Sequence, residues 1–277
     1  MEFKNPNTDV IKDKKLYIFD MDGTIYLGGI PFDFAKRFIK NLRASGRRVL
    51  FFTNNASHTS PFYLKKLERL GFEPLPDEIM TSGDVTLEFL KRYRSGKSVY
   101  MVATDELVEE YREKGINLIN GENESSAQNA DIVITSFDTS LTYEKLNIAC
   151  RLIRHGAEYL STHPDYNCPT EDGFIPDSGA IAALVTASTG KTPTYFGKPY
   201  KETIEMIGEA TGFDNGEMCI FGDRLYTDIA LGKSFGVTSV LVLSGETQPS
   251  DVEAAAVADK PDFVFDSLAD VDKVMFG

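Results

Sequence analysis

Short apolar runs alternate along this chain with stretches whose apolar residues repeat at the spacing of a helix. Several runs are almost continuously apolar, which is typical of strands covered on both faces of a parallel sheet. The repeated order of strand and helix predicts an α/β fold with a mostly parallel sheet and right-handed crossovers. The predicted strands are 15–19, 48–52, 98–103, 131–135, 157–161, 217–221, 238–243 and 262–265. The predicted helices are 32–45, 61–70, 84–94, 105–114, 142–155, 178–189, 200–211, 226–235 and 267–275.

The predicted strands are too many for one sheet of five or six strands, so we expect a second, smaller α/β unit. The candidate reactive residues described below all lie outside 84–185, which makes that window the natural insert. Turn-forming residues cluster near both proposed junctions. We therefore predict a catalytic core formed by 1–83 and 186–277, with an α/β domain inserted at 84–185.

The charge balance excludes some classes of partner. The chain has 29 Lys and Arg against 42 Asp and Glu, a formal net charge of −13. A protein that binds nucleic acid or an anionic membrane normally presents a basic face, so neither is an expected partner. The three cysteines are far apart and predict neither a disulfide framework nor a cysteine metal site. The polar start and the absence of a long apolar stretch predict a cytoplasmic protein.

The segment Asp20-Met21-Asp22-Gly23-Thr24 directly follows the first predicted strand. In extended chain, Asp20 and Asp22 point to the same side, and strand ends of parallel sheets are where ligands bind. Two close carboxylates repel unless a cation or a shared proton compensates, and hard oxygen ligands favour Mg²⁺. An EF-hand loop would need Gly at 25 and an acid at 31, where Ile25 and Pro31 stand. An acidic turn without function remains the alternative for this segment alone.

Three further polar segments also follow predicted strands or short apolar runs. They are Thr53-Asn54-Asn55, Gly197-Lys198-Pro199, and Gly222-Asp223-Arg224 with Asp228 beyond it. Taken singly, they fit a turn, a solvated lysine and a helix N-cap. Taken together, they place a hydroxyl, amides, a cation and acids at the ends of neighbouring strands.

This combination of groups suits phosphoryl transfer. Such a reaction needs a nucleophile, a metal on the phosphate oxygens, and cations or donors on the remaining oxygens. A carboxylate can be the nucleophile and carry the phosphoryl group. Asp20 and Asp223 are candidates to hold Mg²⁺, Thr53 and Lys198 to hold phosphoryl oxygens, and Asp22 to move protons.

The four segments resemble the ordered motifs of haloacid dehalogenase superfamily phosphatases. DMDGT, FFTNNAS, YFGKP and GDRLYTDI are most similar to the p-nitrophenyl phosphatase-like and sugar- or nucleotide-phosphate phosphatases of that superfamily. The resemblance covers about residues 15–245 and implies a Rossmann-like, doubly wound core with a cap domain inserted between the second and third motifs. It also implies a Mg²⁺-dependent phosphatase that acts on a small phosphorylated metabolite through an aspartyl phosphate.

The resemblance also implies a role for each motif residue. It makes Asp20 the nucleophile and Asp22 the general acid and base, with Thr53 and Lys198 on the phosphoryl group. It assigns the metal to Asp20, Asp22 (through its carbonyl), Asp223 and Asp228. It adds substrate contacts from Asn54, Asn55, Arg224, Leu225, Tyr226 and Thr227.

Alternatives stay open at this point. A phosphotransferase or phosphomutase would pass the phosphoryl group to another hydroxyl, and a regulator would bind a phosphorylated metabolite without turnover. In the resembling family the region around His163 faces the active site, which makes His163, Asp165 and Tyr166 candidate substrate contacts; an ordinary structured loop is the alternative. A homodimer through the cap is compatible with that resemblance.

Overall fold

A computed structural model of the chain describes residues 3, 5–120, 129–170 and 173–277. It divides the chain into two compact units. The first unit contains Met1–Thr53, Tyr63–Met80 and Lys198–Gly277, and the second contains Asn54–Phe62 and Thr81–Gly197. Within the described residues, no helix is both long enough and apolar enough to cross a membrane.

Strands and helices alternate along most of the described chain. The strands are β1 (Leu16–Phe19), β2 (Tyr26–Leu27), β3 (Ile30–Pro31), β4 (Arg48–Thr53), β5 (Ile79–Thr81), β6 (Ser98–Val102), β7 (Asn117–Leu118), β8 (Ile132–Thr135), β9 (Glu158–Ser161), β10 (Asn167–Thr170), β11 (Gly173–Pro176), β12 (Thr194–Tyr195), β13 (Met218–Gly222), β14 (Thr238–Val242) and β15 (Phe263–Phe265). The helices are α1 (Asp9–Lys12), α2 (Asp33–Ala44), α3 (Ser60–Leu70), α4 (Ser82–Tyr93), α5 (Asp105–Glu113), α6 (Tyr143–Arg154), α7 (Ser178–Thr189), α8 (Lys201–Thr211), α9 (Ala230–Phe235), α10 (Pro249–Ala254) and α11 (Leu268–Phe276).

The first unit is built on a six-stranded sheet with the order β15-β14-β13-β1-β4-β5. β1 pairs in parallel with β13 on one side and β4 on the other. Phe19 of β1 stacks on Phe221 of β13, and Phe38 of α2 packs its ring edge-on against both. These rings lie in the core under the carboxyl ends of the two central strands, whose following residues are Asp20 and Asp223.

The second unit has its own five-stranded parallel sheet, ordered β12-β9-β8-β6-β7. Helices α6 and α7 contact each other and this sheet, and their apolar faces form one buried cluster with it. Thr142 caps α6 by accepting a hydrogen bond from the Lys145 N–H, and Gly190 ends α7 in a left-handed conformation. A separate antiparallel hairpin, β10–β11, interrupts the chain between β9 and α7.

The predicted fold class is confirmed, and every apolar run predicted as a strand contains one. The two antiparallel hairpins, β2–β3 and β10–β11, were not expected, because their residues mix polar and apolar types without strict alternation. The predicted helix at 226–235 is a π-helical turn, Leu225–Ile229, followed by α9.

The compact units do not end where the sequence placed the insert. Position 185, its predicted last residue, lies inside α7, and the second unit continues through β12 to Gly197. β12 pairs with β9 and so belongs to the second sheet. This pairing could not be predicted from the sequence, since a two-residue strand carries no periodicity.

Candidate active site

Asp20 is the first residue after β1, and its position is fixed by the sheet. Its N–H donates to the carbonyl of Phe221 at 2.9 Å, which continues the parallel ladder by one residue. Gly23 then turns the chain with a φ of +84°. A Cβ on Gly23 would lie 2.3 Å from Asp223 Oδ2, so only glycine lets this carboxylate approach the turn. The turn therefore brings the ends of β1 and β13 together.

Asp223 follows β13 and is enclosed by the loop after β14. Its Oδ2 accepts the N–H of Glu246 at 2.7 Å, and its carbonyl accepts the N–H of Thr247 at 3.2 Å. A Cβ on Gly245 would lie 2.0 Å from Asp223 Oδ2, so this contact also requires glycine. Sequence reasoning missed the loop 244–247. The signal was present, because Ser244-Gly245-Glu246 follows an apolar run in the same way as the other motifs.

Lys198 joins two of the carboxylates. Its Nζ donates to Asp20 Oδ1 at 2.5 Å and to Asp228 Oδ1 at 2.6 Å, and its side chain is only 3% exposed. Burial works against the charge of Lys198, but the two carboxylates outweigh it and hold the pKa of this ammonium above its ordinary value. Lys198 is therefore a charged, buried cation beside Asp20, and not a solvated surface lysine.

Asp20, Asp223 and Asp228 form a cluster of acids that a cation fits. One carboxylate oxygen from each lies within 4.8 Å of the others, and Asp223 Oδ1 is buried without a hydrogen-bond partner. The pKa of Asp20 is raised to about 6 and that of Asp223 to about 7, chiefly by burial, and the charge of Asp228 acts in the same direction on both. An all-oxygen set with one unsatisfied buried oxygen suits a hard divalent ion such as Mg²⁺.

These pKa shifts predict how metal-free stability depends on pH. A carboxyl whose pKa is higher in the folded than in the unfolded protein destabilises the fold once it ionises. In chelator, the unfolding temperature should therefore rise as the pH falls from about 8 towards 5. Mg²⁺ should raise this temperature more at about pH 8 than at about pH 5. Thermal unfolding with and without Mg²⁺ measures both effects. An equal effect of Mg²⁺ at both pH values would contradict the assignment of Asp20 and Asp223.

Asp22 is half-buried at the start of the β2–β3 hairpin and forms a backbone bridge with Tyr26. Burial raises the pKa of its carboxyl, while the N–H of Gly28 and the charges of Lys66 and Arg224 act against that shift. A carboxyl with a raised pKa keeps its proton at a higher pH than an ordinary aspartic acid does. Asp22 is thus suited to give a proton away and to take one back.

The remaining motif residues of the first unit are placed as follows. Thr53 is the last residue of β4, the neighbour of β1, and so lies at the same sheet edge as Asp20. Arg224 Nε lies 2.9 Å from Glu246 Oε2, and the hydroxyl of the exposed Tyr226 donates to Glu246 Oε1 at 2.8 Å. Thr227 is buried and donates to Asp228 Oδ2 at 3.2 Å, whereas Leu225 packs against an apolar cluster of the core.

Asn54 and Asn55 belong to the second unit, and each has side-chain hydrogen bonds within it. Asn54 Nδ2 donates to Asp165 Oδ2 at 3.1 Å. Asn55 Oδ1 accepts both the N–H and the hydroxyl of Ser57, at 3.0 and 2.7 Å, which closes a local turn. Their predicted contact with substrate stays a prediction.

The resemblance makes His163 a candidate substrate contact, but the structure places its side chain in the interior of the second unit. It is completely buried in the second unit, with Nε2 2.8 Å from Asp177 Oδ1 and Nδ1 3.0 Å from Thr162 Oγ1. Burial lowers the pKa of this imidazole, but Asp177 outweighs that effect, so the net shift is upward. Asp177 also caps α7, which makes the pair part of the internal structure of the unit. Tyr166, by contrast, is exposed.

Comparison with known families gives two matches, one in each half of the chain. The family model described as haloacid dehalogenase-like hydrolase matches residues 17–117. A second, HAD-hydrolase-like model matches residues 195–271. Together the matched segments contain Asp20, Thr53, Lys198, Asp223 and Asp228.

Full-length relatives are also similar to this chain. An acid sugar phosphatase of Staphylococcus aureus is 35% identical over 243 residues, which cover 88% of this chain and 92% of that protein. A 4-nitrophenylphosphatase structure from Thermotoga maritima superposes with a TM-score of 0.88 at 40% identity, covering 96% of this chain and 99% of that one. A p-nitrophenyl phosphatase from Archaeoglobus fulgidus gives a TM-score of 0.86 at 29% identity, covering 95% and 99%.

Proposed function

The chain belongs to the haloacid dehalogenase-like hydrolases and is a phosphoric monoester hydrolase, and we propose that it is a Mg²⁺-dependent phosphatase that works through a phosphoryl group carried on Asp20. Its proposed substrates are small phosphomonoesters, such as sugar phosphates or nucleotides. One observation carries the proposal: Lys198 is buried between Asp20 and Asp228, whose carboxylates cluster with that of Asp223, and one oxygen of Asp223 is buried and unsatisfied. A simple structural ion pair would not need a third carboxylate with one buried oxygen left unsatisfied.

The cation would be held by the carboxylates of Asp20, Asp223 and Asp228, with the carbonyl of Asp22 as a further oxygen. A divalent ion at such a site draws negative charge from the phosphate oxygens and screens them from the attacking carboxylate. Lys198 contributes a fixed positive charge to the same region, and Thr53 a hydroxyl at the same sheet edge. These groups stabilise the charge that accumulates on the transferring phosphoryl group.

The proposed reaction has two steps. In the first, an oxygen of Asp20 bonds to phosphorus, the bond to the leaving oxygen breaks, and Asp22 gives its proton to that oxygen. In the second, a water oxygen bonds to phosphorus while its proton passes to Asp22, and the bond to Asp20 breaks. Asp22 is then protonated again and Asp20 is free. The raised pKa of Asp22, which burial causes, supports this role of proton carrier.

We also propose roles for the two units, an oligomeric state and a cellular location. We assign the chemistry to the first unit and the recognition of the leaving group to the second, as a cap, with a homodimer through that cap. We also place the protein in the cytoplasm, which fits the absence of a disulfide among Cys150, Cys168 and Cys219 in the described part of the chain. Hydrolysis is distinguished from phosphotransfer by product analysis in excess acceptor alcohol, where only a transferase makes a new ester.

Removal of the metal tests the proposed function directly. A phosphate-release assay over sugar phosphates, nucleotides and p-nitrophenyl phosphate should show turnover with Mg²⁺, none in excess chelator, and recovery when Mg²⁺ is returned. Asp223→Asn should raise the Mg²⁺ concentration for half-maximal activity by about 100-fold, because a negatively charged ligand becomes a neutral amide. Asp33→Asn, at an exposed carboxylate of the same unit, is the matched control and should behave as wild type. Full activity in chelator would refute the metal site.

A further inference from the structure

Glu246 contacts three residues of the site at once, although no motif contains it. One carboxylate oxygen lies 2.9 Å from Arg224 Nε, and the other accepts the hydroxyl of Tyr226 at 2.8 Å. Its own N–H donates to Asp223 Oδ2 at 2.7 Å. The loop 244–247, which encloses Asp223, therefore also brings a negative charge into contact with Arg224 and Tyr226.

We propose that Glu246 neutralises Arg224 and so makes this enzyme select esters with an uncharged leaving group over esters whose leaving group carries a second anion. The proposal rests on the phosphatase function proposed above and narrows its substrate class. Arg224 is the residue through which the selection acts, and Glu246 is a positioning residue.

Arg224 lies where it would meet a leaving group. Arg224 directly follows Asp223, whose carboxylate lies in one cluster with that of Asp20, and its charge acts against the rise in pKa that burial causes at Asp20 and at Asp22. Because Asp22 protonates the leaving oxygen, the leaving group must also lie near Asp22. The Arg224 side chain is 24% exposed and is therefore partly accessible. A guanidinium in this position is the usual partner for a carboxylate or a second phosphate.

The other cations of the site are already engaged. Lys198 is enclosed between Asp20 and Asp228 at 3% exposure. Lys66 donates to the hydroxyl of Tyr26 at 3.0 Å and lies over its ring. Arg224 is thus the cation of this group best placed to receive a second anion, and Glu246 already occupies it.

The charge balance around the reacting atoms points the same way. When ionised, five carboxylates face three cations, and a divalent ion brings the sum only to neutrality. These residues are Asp20, Asp22, Asp223, Asp228 and Glu246, with Lys66, Lys198 and Arg224. The phosphate of the substrate then makes the site negative, so a second anion meets repulsion.

The contact between Glu246 and Arg224 is a charge pair that a single substitution can remove. Glu246 is 50% exposed, and the contact is a charge pair, not an aligned hydrogen bond, since Arg224 Nε has no hydrogen-bond acceptor among the described residues. Glu246→Gln keeps the shape, the acceptor for Tyr226 and the backbone N–H to Asp223. It removes only the charge that neutralises Arg224.

The test compares two esters of matched shape, glycerol 3-phosphate and 3-phosphoglycerate, which differ by a hydroxymethyl group against a carboxylate. Wild type should have the higher kcat/KM on glycerol 3-phosphate. In Glu246→Gln, the ratio of kcat/KM for 3-phosphoglycerate to that for glycerol 3-phosphate should rise about fivefold, which is the upper range for a partly exposed ion pair. The double variant Glu246→Gln with Arg224→Gln should lose this gain, because the freed cation is gone.

The matched control is Glu217→Gln. Glu217 pairs with Lys15 in the same unit at the opposite end of β13, so this variant changes the net charge equally without touching Arg224. In Glu217→Gln, the ratio of kcat/KM for 3-phosphoglycerate to that for glycerol 3-phosphate should equal the wild-type ratio. An unchanged ratio in Glu246→Gln, or an equal loss on both esters, would overturn the proposal and leave the phosphatase function intact. No phosphate release by wild type from any ester would overturn the function itself, and this proposal with it.

Discussion

Asp20→Asn is expected to lower kcat by at least about 10⁴-fold, because the amide keeps the shape of the side chain but cannot attack phosphorus. The same change should leave the unfolding temperature of the metal-free protein unchanged or higher. Burial penalises the charge of Asp20, as its raised pKa of about 6 indicates, and Lys198 keeps Asp228 as a partner. Loss of activity without loss of stability is the signature of a reacting group.

Two measurements complete this test. Rapid acid quench of wild type with a labelled ester should trap the phosphoryl group on the protein, and the Asn variant should trap none. Asp33→Asn, at an exposed carboxylate of the first unit, should match wild type in both assays. If Asp20→Asn retained more than about one per cent of activity, a nucleophilic role for Asp20 would be wrong, since removal of a catalytic nucleophile lowers kcat by much more than about 100-fold.

The predictable part of the fold is the part fixed by local sequence. Buried parallel strands such as β1 and β13 are continuous apolar runs, and a reader of the sequence recognises them without knowing their partners. The polar residues that follow them, Asp20 and Asp223, are then placed at one sheet edge by the rule that parallel strands end together. The cluster of acids could be predicted for this reason.

The missed features depend on contacts between distant segments. β12 is a strand only because β9 offers it an edge, and the loop 244–247 matters only because Asp223 lies beside Gly245. The burial of His163 has the same origin, since Asp177 and Ser82 reach it from separate helices. A sequence carries the residue types for such contacts but not the distances.

Lys198→Met is expected to lower kcat/KM by about 10³-fold, because this cation serves both the nucleophile and the phosphoryl group. Methionine keeps most of the side-chain volume, so the change isolates the charge. In the metal-free protein at about pH 8, unfolding should cost about 3 kcal/mol less, since removal of one partner leaves buried carboxylates uncompensated. Circular dichroism during denaturant unfolding measures this loss.

The stability loss in Lys198→Met should depend on pH in a definite direction. Without the ammonium, the pKa of Asp20 rises above its present value of about 6, so near pH 5 this carboxyl is protonated and the repulsion disappears. The deficit in unfolding free energy should therefore shrink as the pH falls from about 8 to about 5. Lys201→Met, three residues along the chain at an exposed pair with Glu205, should show neither the catalytic nor the stability effect. A deficit that is the same at both pH values would mean that Lys198 stabilises the fold by packing alone, and its charge would then have no role in holding Asp20 ready to react.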